Sequence, residues 1–85
     1  MQISEKSIKD TIAYLVAVCR RESSECHTVF VLDDNYWHTR SKLDGLRVLF
    51  MDHSRIIALL DAAMLETDEI WANGKARLSA RQSAA

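Results

Sequence analysis

Hydrophobic side chains recur along most of this chain at the spacing of an α-helix, with charged residues between them. In the N-terminal segment these positions form one stripe, made of Ile8, Ile12, Leu15, Val16 and Cys19. Ser4 precedes the stripe, where its hydroxyl can accept a hydrogen bond from a free backbone N–H of the first turn. We therefore predict a helix from Ser4 to about Glu22, followed by a short connection to Cys26.

A second and longer pattern runs through the rest of the chain, with its positions at alternating steps of three and four. This is the spacing of a helical seam that packs against another helix. The seam consists of Val29, Leu32, Tyr36, Thr39, Leu43, Leu46, Phe50, His53, Ile57, Leu60, Met64, Thr67 and Trp71. It is strongest from Leu43 to Met64, so we predict one long amphipathic helix from about Ser41 to Ala72.

The segment before this helix has two interpretations. The β-branched residues around Val29–Leu32 favour a short strand, and Asp33–Asn35 has the composition of a turn. The seam spacing instead extends the helix back to Val29, and both alternatives remain open.

At the other end, Gly74 follows Asn73 and is a natural helix stop. We expect residues 1–72 to form a single helical domain and residues 73–85 to be a flexible basic tail.

Composition supports an all-α protein of one domain. The chain has 85 residues, 48% of them hydrophobic, with no proline and two glycines. A chain this short buries only about 60–65% of its unfolded surface and is marginally stable alone. Few loop-forming residues favour few, long helices.

The length of the predicted second helix indicates a homodimer. At 1.5 Å per residue it would be about 45 Å long, and the first helix would cover roughly two-thirds of it. A second copy would cover the remainder, with an expected interface of Leu46, Phe50, His53, Ile57, Leu60, Met64 and Trp71. The alternative is a monomeric three-helix bundle, broken near Asp33 or Gly45.

The charged and titratable residues do not indicate an enzyme. With 11 basic and 12 acidic side chains, the net charge is −1. Cys19, Cys26, His27 and His38 lack the close pairing of a structural zinc site, and the chain has no glycine-rich phosphate loop. We expect no catalysis, no cofactor and no metal. The N-terminus does not resemble a signal peptide and no apolar run reaches membrane length, so we expect a soluble cytoplasmic protein with free thiols.

The most distinctive candidate residues are aromatic. Tyrosine and tryptophan contribute strongly to binding energy when a partner covers them. We predict a partner-binding segment whose contacts come from Phe30, Val31, Tyr36 and Trp37. The predicted function is therefore a small helical homodimer that binds an unidentified protein and masks, inhibits or bridges it.

A small DNA-associated regulator is the alternative function. Its contacts would come from the basic residues Arg40, Arg47, Lys75, Arg77 and Arg81. Asp44, Asp52 and Asp61 alternate with the basic residues of the central segment, which is typical of an ordinary solvated face. The sequence therefore favours a protein partner over nucleic acid, and it indicates no membrane contact.

Overall fold

The computed structural model describes residues 4–84, with side chains as far as Arg81. Within that range the chain forms three α-helices: α1 (Glu5–Glu25), α2 (Val29–Leu49) and α3 (Ser54–Ala84). The all-α prediction is confirmed, and no strand occurs among the described residues. Of the two arrangements considered, the molecule adopts the one with three helices, broken at residues 26–28 and 50–53 rather than at Asp33 or Gly45.

The start of α1 confirms the predicted cap. The Ser7 backbone N–H donates to Ser4 Oγ over 3.1 Å, which satisfies one of the free donors of the first turn. The buried positions of α1 follow the predicted stripe and include Ile8, Ile12, Val16 and Cys19. The helix ends at Glu25, slightly beyond the predicted Glu22.

The strand alternative for residues 29–32 is wrong, because α2 begins at Val29. Thr28 caps this helix by accepting a hydrogen bond from the Val31 backbone N–H at 3.2 Å. The β-branched residues give only a weak local preference. The helix places Leu32 fully inside the core, and that burial outweighs the local preference.

The single helix predicted from Ser41 to Ala72 is also wrong, because a turn at residues 50–53 divides it. The Phe50 N–H donates to the Leu46 carbonyl at 3.0 Å, and the His53 N–H donates to the Phe50 carbonyl at 2.9 Å. This turn folds α3 back along α2. The two halves of the seam then lie against the same core, which a continuous helix could not achieve.

Polar contacts between α2 and α3 show that the two helices run antiparallel. Arg47 pairs with Asp61 at 3.0 Å, and Arg40 pairs with Asp68 at 3.1 Å. The residue that comes earlier in α2 therefore pairs with the residue that comes later in α3. The longest element is α3, with 31 residues against 21 in each of the others, and it contacts both of them.

The helix stop predicted at Gly74 is wrong, because α3 continues through it to Ala84. A Cβ atom at Gly74 would lie 2.8 Å from Leu32 Cδ1, so the glycine allows α3 to approach α2 closely. Beyond it, Leu78 is buried. The segment expected to be a tail is thus helical as far as Ala84, and residue 85 falls outside the described part, as do residues 1–3.

The described residues form two core clusters, and the chain covers most of its own seam. The larger cluster contains Ile8, Ile12, Val16, Cys19, Leu43, Ile56, Leu60, Ala63, Met64 and Ile70. The smaller contains Cys26, Leu32 and Leu78, with Val29 and Trp71 packed against it. The expectation that Leu60 and Met64 need a second chain to cover them is therefore wrong. The homodimer itself stays a prediction.

A buried amide fixes the contact between α1 and α2. The side-chain nitrogen of Asn35 donates to the Cys19 carbonyl at 3.0 Å and to Ser23 Oγ at 2.6 Å. Asn35 and Ser23 are both buried. Sliding one helix along the other would break these bonds inside the core, so the amide favours one helical register.

Candidate protein-binding surface

Two aromatic side chains of α2 project into solvent from the same side of the helix. Phe30 is 82% exposed and Trp37 is 63% exposed. They lie about two helical turns apart, which places them on one face, and we call this pair the α2 aromatic face. Val31 is also exposed, but each residue turns about 100° around the helix axis, so Val31 points away from this face.

Behind Trp37, four side chains from α2 and α3 line a cleft of 260 Å³: Asp33, Tyr36, Trp37 and Trp71. We call it the aromatic cleft. The Tyr36 ring lies edge-on to Trp37, with centroids 5.3 Å apart, and tilted against Trp71 at 5.8 Å. The Trp71 indole N–H donates to Asp33 Oδ1 at 2.7 Å. The predicted contact residues Tyr36 and Trp37 thus lie beside Asp33 and Trp71. The sequence alone indicates a turn for Asp33 and a dimer interface for Trp71.

A polar network holds Tyr36 in place. Its hydroxyl donates to Asp68 Oδ1 at 2.5 Å, and Arg40 Nη1 donates to the Tyr36 oxygen at 3.2 Å and to Asp68 at 3.1 Å. The hydrogen bond to Asp68, together with burial and the carboxylate charge, raises the pKa of Tyr36. Tyr36 therefore keeps its proton and remains a hydrogen-bond donor.

The same network affects Arg40. Burial by itself lowers the pKa of this guanidinium, but its interactions with Tyr36, Asp68 and Asp44 outweigh burial and raise it. The Asp44 contact is an ion pair of 3.6 Å across one turn of α2. Arg40 therefore stays charged while it fastens α2 to α3 beside the aromatic cleft.

Charges of both signs lie around the aromatic residues. Asp34 and Asp44 are exposed on α2, at positions flanking the α2 aromatic face, and Asp33 lines the cleft. Cations lie close as well: Arg40 donates to the Tyr36 oxygen, and Lys42 lines a shallow hollow with Trp37 and Asp34. Lys75 Nζ lies 4.7 Å from the centroid of the Trp71 ring, within the distance of a cation–π contact. The lining of the aromatic cleft itself combines three aromatic rings with one carboxylate.

The residues predicted for the dimer interface do not form one exposed surface. Leu60 and Met64 are buried, and Leu46, Phe50 and Ile57 are partly buried against the larger core cluster. Trp71 packs on the smaller cluster. His53 is exposed in the turn between α2 and α3. The seam therefore serves mainly the core of this chain.

The basic residues predicted for nucleic acid are mostly engaged within the chain. Arg40 and Arg47 pair with aspartates, and Lys75 lies over Trp71. Arg77 donates to the Ser23 carbonyl at 2.8 Å and to the Cys26 carbonyl at 3.1 Å. The remaining one, Arg81, is exposed. Four of the five predicted residues therefore make contacts within the chain.

Cys19 and Cys26 are buried free thiols that belong to different core clusters. Among the residues that the structure describes, no group of three or more His, Cys, Asp or Glu side chains is placed to hold a metal ion. None of the described helices has the length and apolar character needed to cross a membrane.

Sequence reasoning missed two features of the surface. It treated Asp33 as a turn residue and Trp71 as part of a dimer seam, whereas the two close the aromatic cleft together. It also missed a second exposed apolar group, Val48 and Leu49 at the end of α2 and Met51 in the turn that follows. Asp52 and Ser54 follow that group in the sequence, and both residue types favour turns. They could have indicated that α2 ends here.

Comparison of the chain with protein-family models, curated proteins and solved structures gave no match.

Proposed function

We propose that this chain is a small helical protein-interaction module that binds another protein through the α2 aromatic face. The observation that carries the proposal is the exposure of Phe30 and Trp37, at 82% and 63%, on one side of a helix whose other side is packed into the core. Leaving such side chains in water forgoes roughly 1.5–3 kcal/mol each. A partner that covers both would recover that free energy.

The packing around Trp37 supports a role in binding. Its ring contacts Tyr36, and Tyr36 is held by Asp68 and Arg40. An anchor that is already held by its neighbours loses less conformational entropy when a partner docks. Tryptophan and tyrosine are also enriched among the residues that dominate binding energy at interfaces.

The flanking charges indicate the chemistry of the partner. Asp34 is exposed beside the α2 aromatic face, whereas Asp44 already pairs with Arg40 at 3.6 Å. A complementary surface therefore presents apolar side chains with a basic residue opposite Asp34. A second copy of this chain would add another exposed Asp34 carboxylate to such an interface. We therefore propose a different protein as the main partner, which the module masks, inhibits or bridges, and homodimerisation is not required for this activity.

Binding can be tested with tagged full-length chain as bait in native lysate and quantitative mass spectrometry. The variants Phe30→Ser and Trp37→Ser alter the α2 aromatic face, and Leu65→Ser is the matched control, because Leu65 is 65% exposed on α3. The captured protein is then purified and titrated against each variant. We expect Trp37→Ser to weaken its binding by roughly thirtyfold, since a central anchor contributes about 2 kcal/mol or more, and Leu65→Ser to change it less than about twofold.

Equal loss of binding in the Leu65→Ser control and the Trp37→Ser variant would contradict the proposal. So would a partner whose affinity is unchanged by both substitutions on the α2 aromatic face. Sedimentation of the purified chain provides a separate result. A self-association that Trp37→Ser abolishes would show that the face binds a second copy instead.

A further inference from the structure

The aromatic cleft contains the groups that recognise a cation. Three aromatic rings and one carboxylate line its 260 Å³, and the faces of aromatic rings attract cations through their quadrupole. The Trp71 ring already attracts one: Lys75 Nζ lies 4.7 Å from its centroid. Lys75 belongs to this chain and is not part of the cleft lining, so its contact shows what the ring can do rather than what fills the cleft.

The Asp33 carboxylate can also orient a bound cation by accepting hydrogen bonds from it. Asp33 accepts the Trp71 indole N–H on Oδ1, and a carboxylate has a second oxygen with its own lone pairs. A planar guanidinium can stack on an aromatic ring while its N–H groups donate to a carboxylate beside that ring. An ammonium makes a more compact, strongly hydrated contact without this planar fit.

The geometry points to a binding site in which the aromatic cleft receives an arginine side chain of the partner protein, with its guanidinium beside Asp33 and against the rings of Trp37 and Trp71. This inference rests on the proposed function, because it names the group by which a partner docked on the α2 aromatic face would be recognised. The exposed acidic residue Asp34 lies next to Asp33 in sequence and would favour the approach of a basic segment.

The site can be tested on the full chain without knowing the partner, with Nα-acetyl-arginine amide as the probe. Nα-acetyl-citrulline amide is the control, because it has nearly the same shape and no charge. The chain has two tryptophans, so an ¹⁵N-labelled sample gives two indole N–H signals, and Trp37→Phe assigns them. We expect the arginine probe to shift both signals saturably, and the citrulline probe to bind roughly two- to thirtyfold more weakly.

Two substitutions show which carboxylate binds the arginine probe. Asp33→Asn retains an oxygen that can accept the Trp71 indole N–H but loses the negative charge, and Asp34→Asn removes the neighbouring charge as the matched control. We expect Asp33→Asn to weaken the arginine probe by roughly two- to tenfold, the loss expected for one hydrogen bond. Asp34→Asn should weaken it by less than about twofold, because an exposed charge is screened by water and salt. The comparison of the two probes uses the wild-type chain, so it stands even if a variant loses structure.

Equal binding of the arginine and citrulline probes, or no movement of either indole signal, would overturn the inference. If the probe fails while Trp37→Ser still abolishes capture of the partner, the proposed function stands and the arginine site is wrong. If the probe binds as expected while Trp37→Ser and Leu65→Ser affect capture equally, the arginine site stands and the proposed function is wrong.

Discussion

The two glycines allow one substitution to be compared in opposite environments. Both lie inside helices, Gly45 in α2 and Gly74 in α3, where alanine is favoured over glycine by about 1 kcal/mol. A Cβ atom at Gly45 would meet nothing within 4 Å, whereas one at Gly74 would lie 2.8 Å from Leu32 Cδ1 and 3.2 Å from Cδ2. The propensity gain is therefore shared, and the steric cost arises at one position only.

The magnitude follows from how freely Leu32 can move. Its side chain is fully buried and belongs to the smaller core cluster, with Val29 and Trp71 packed around it. Forcing an extra carbon into a closed core costs about 1–3 kcal/mol, which exceeds the helix-propensity gain. We expect Gly74→Ala to lower the free energy of unfolding by about 1 kcal/mol, and Gly45→Ala to raise it by about 0.5–1 kcal/mol.

Thermal unfolding followed by circular dichroism measures the difference. For a domain of this size 1 kcal/mol corresponds to about 4–8 °C in Tm, so the two alanine variants should move Tm in opposite directions. A double-mutant cycle with Leu32→Val, which shortens the clashing side chain, should show that Gly74→Ala costs less in that background. Equal stabilisation by Gly45→Ala and Gly74→Ala would refute the close approach of α3 to α2 at this point.

Two polar contacts give further expected outcomes. In a Tyr14→Phe background the only remaining tyrosine is Tyr36, and a pH titration followed by absorbance at 295 nm should give a midpoint above the ordinary pKa of 10.0. Asp68→Asn should lower that midpoint. A midpoint at or below 10.0 in the Tyr14→Phe chain would contradict the hydrogen bond. Because the pKa is raised in the folded state, the stabilisation is complete below the ordinary value and is lost as pH rises through the folded value. Arg77→Ala should destabilise the chain by about 1–2 kcal/mol in urea unfolding, since it leaves two carbonyls near the end of α1 without their charged donor. Arg81→Ala, an exposed change on the same helix, should cost less than about 0.5 kcal/mol, and equal effects would argue against the Arg77 contact.

Local signals in the sequence predict the first helix and the all-α class well. Ser4 caps α1 as expected, because a cap depends only on residues within one turn. The turn at residues 50–53 could not be predicted from the seam, since the spacing of Phe50, His53 and Ile57 continues through it without interruption. The spacing indicates which residues face the core. It is the same for one continuous helix and for two antiparallel helices joined by a turn.

Gly74 shows a different limit. Glycine after asparagine favours a helix end, but glycine inside a helix also allows another element to approach closely. Only the position of Leu32 decides between these roles, and that position depends on how α2 lies against α3.

The candidate surface was predictable in part for the same reason. Phe30 and Trp37 share one helix, so their exposure on one face follows once α2 is known to be a helix. The pairing of Asp33 with Trp71 joins two helices. It depends on the register between α2 and α3, which no local signal in the sequence specifies.

The two buried cysteines lie in different core clusters, so the reactivity of each thiol reports the local unfolding of its own part of the structure. Cys19 lies in the larger core cluster and Cys26 in the smaller one, so a thiol reagent reaches each only when that part of the structure opens. Matching labelling rates would mean that the bundle opens as one cooperative unit. Faster labelling of Cys26 would mean that the end held by Leu78 and Arg77 separates first, which is also the end of α2 that carries Phe30.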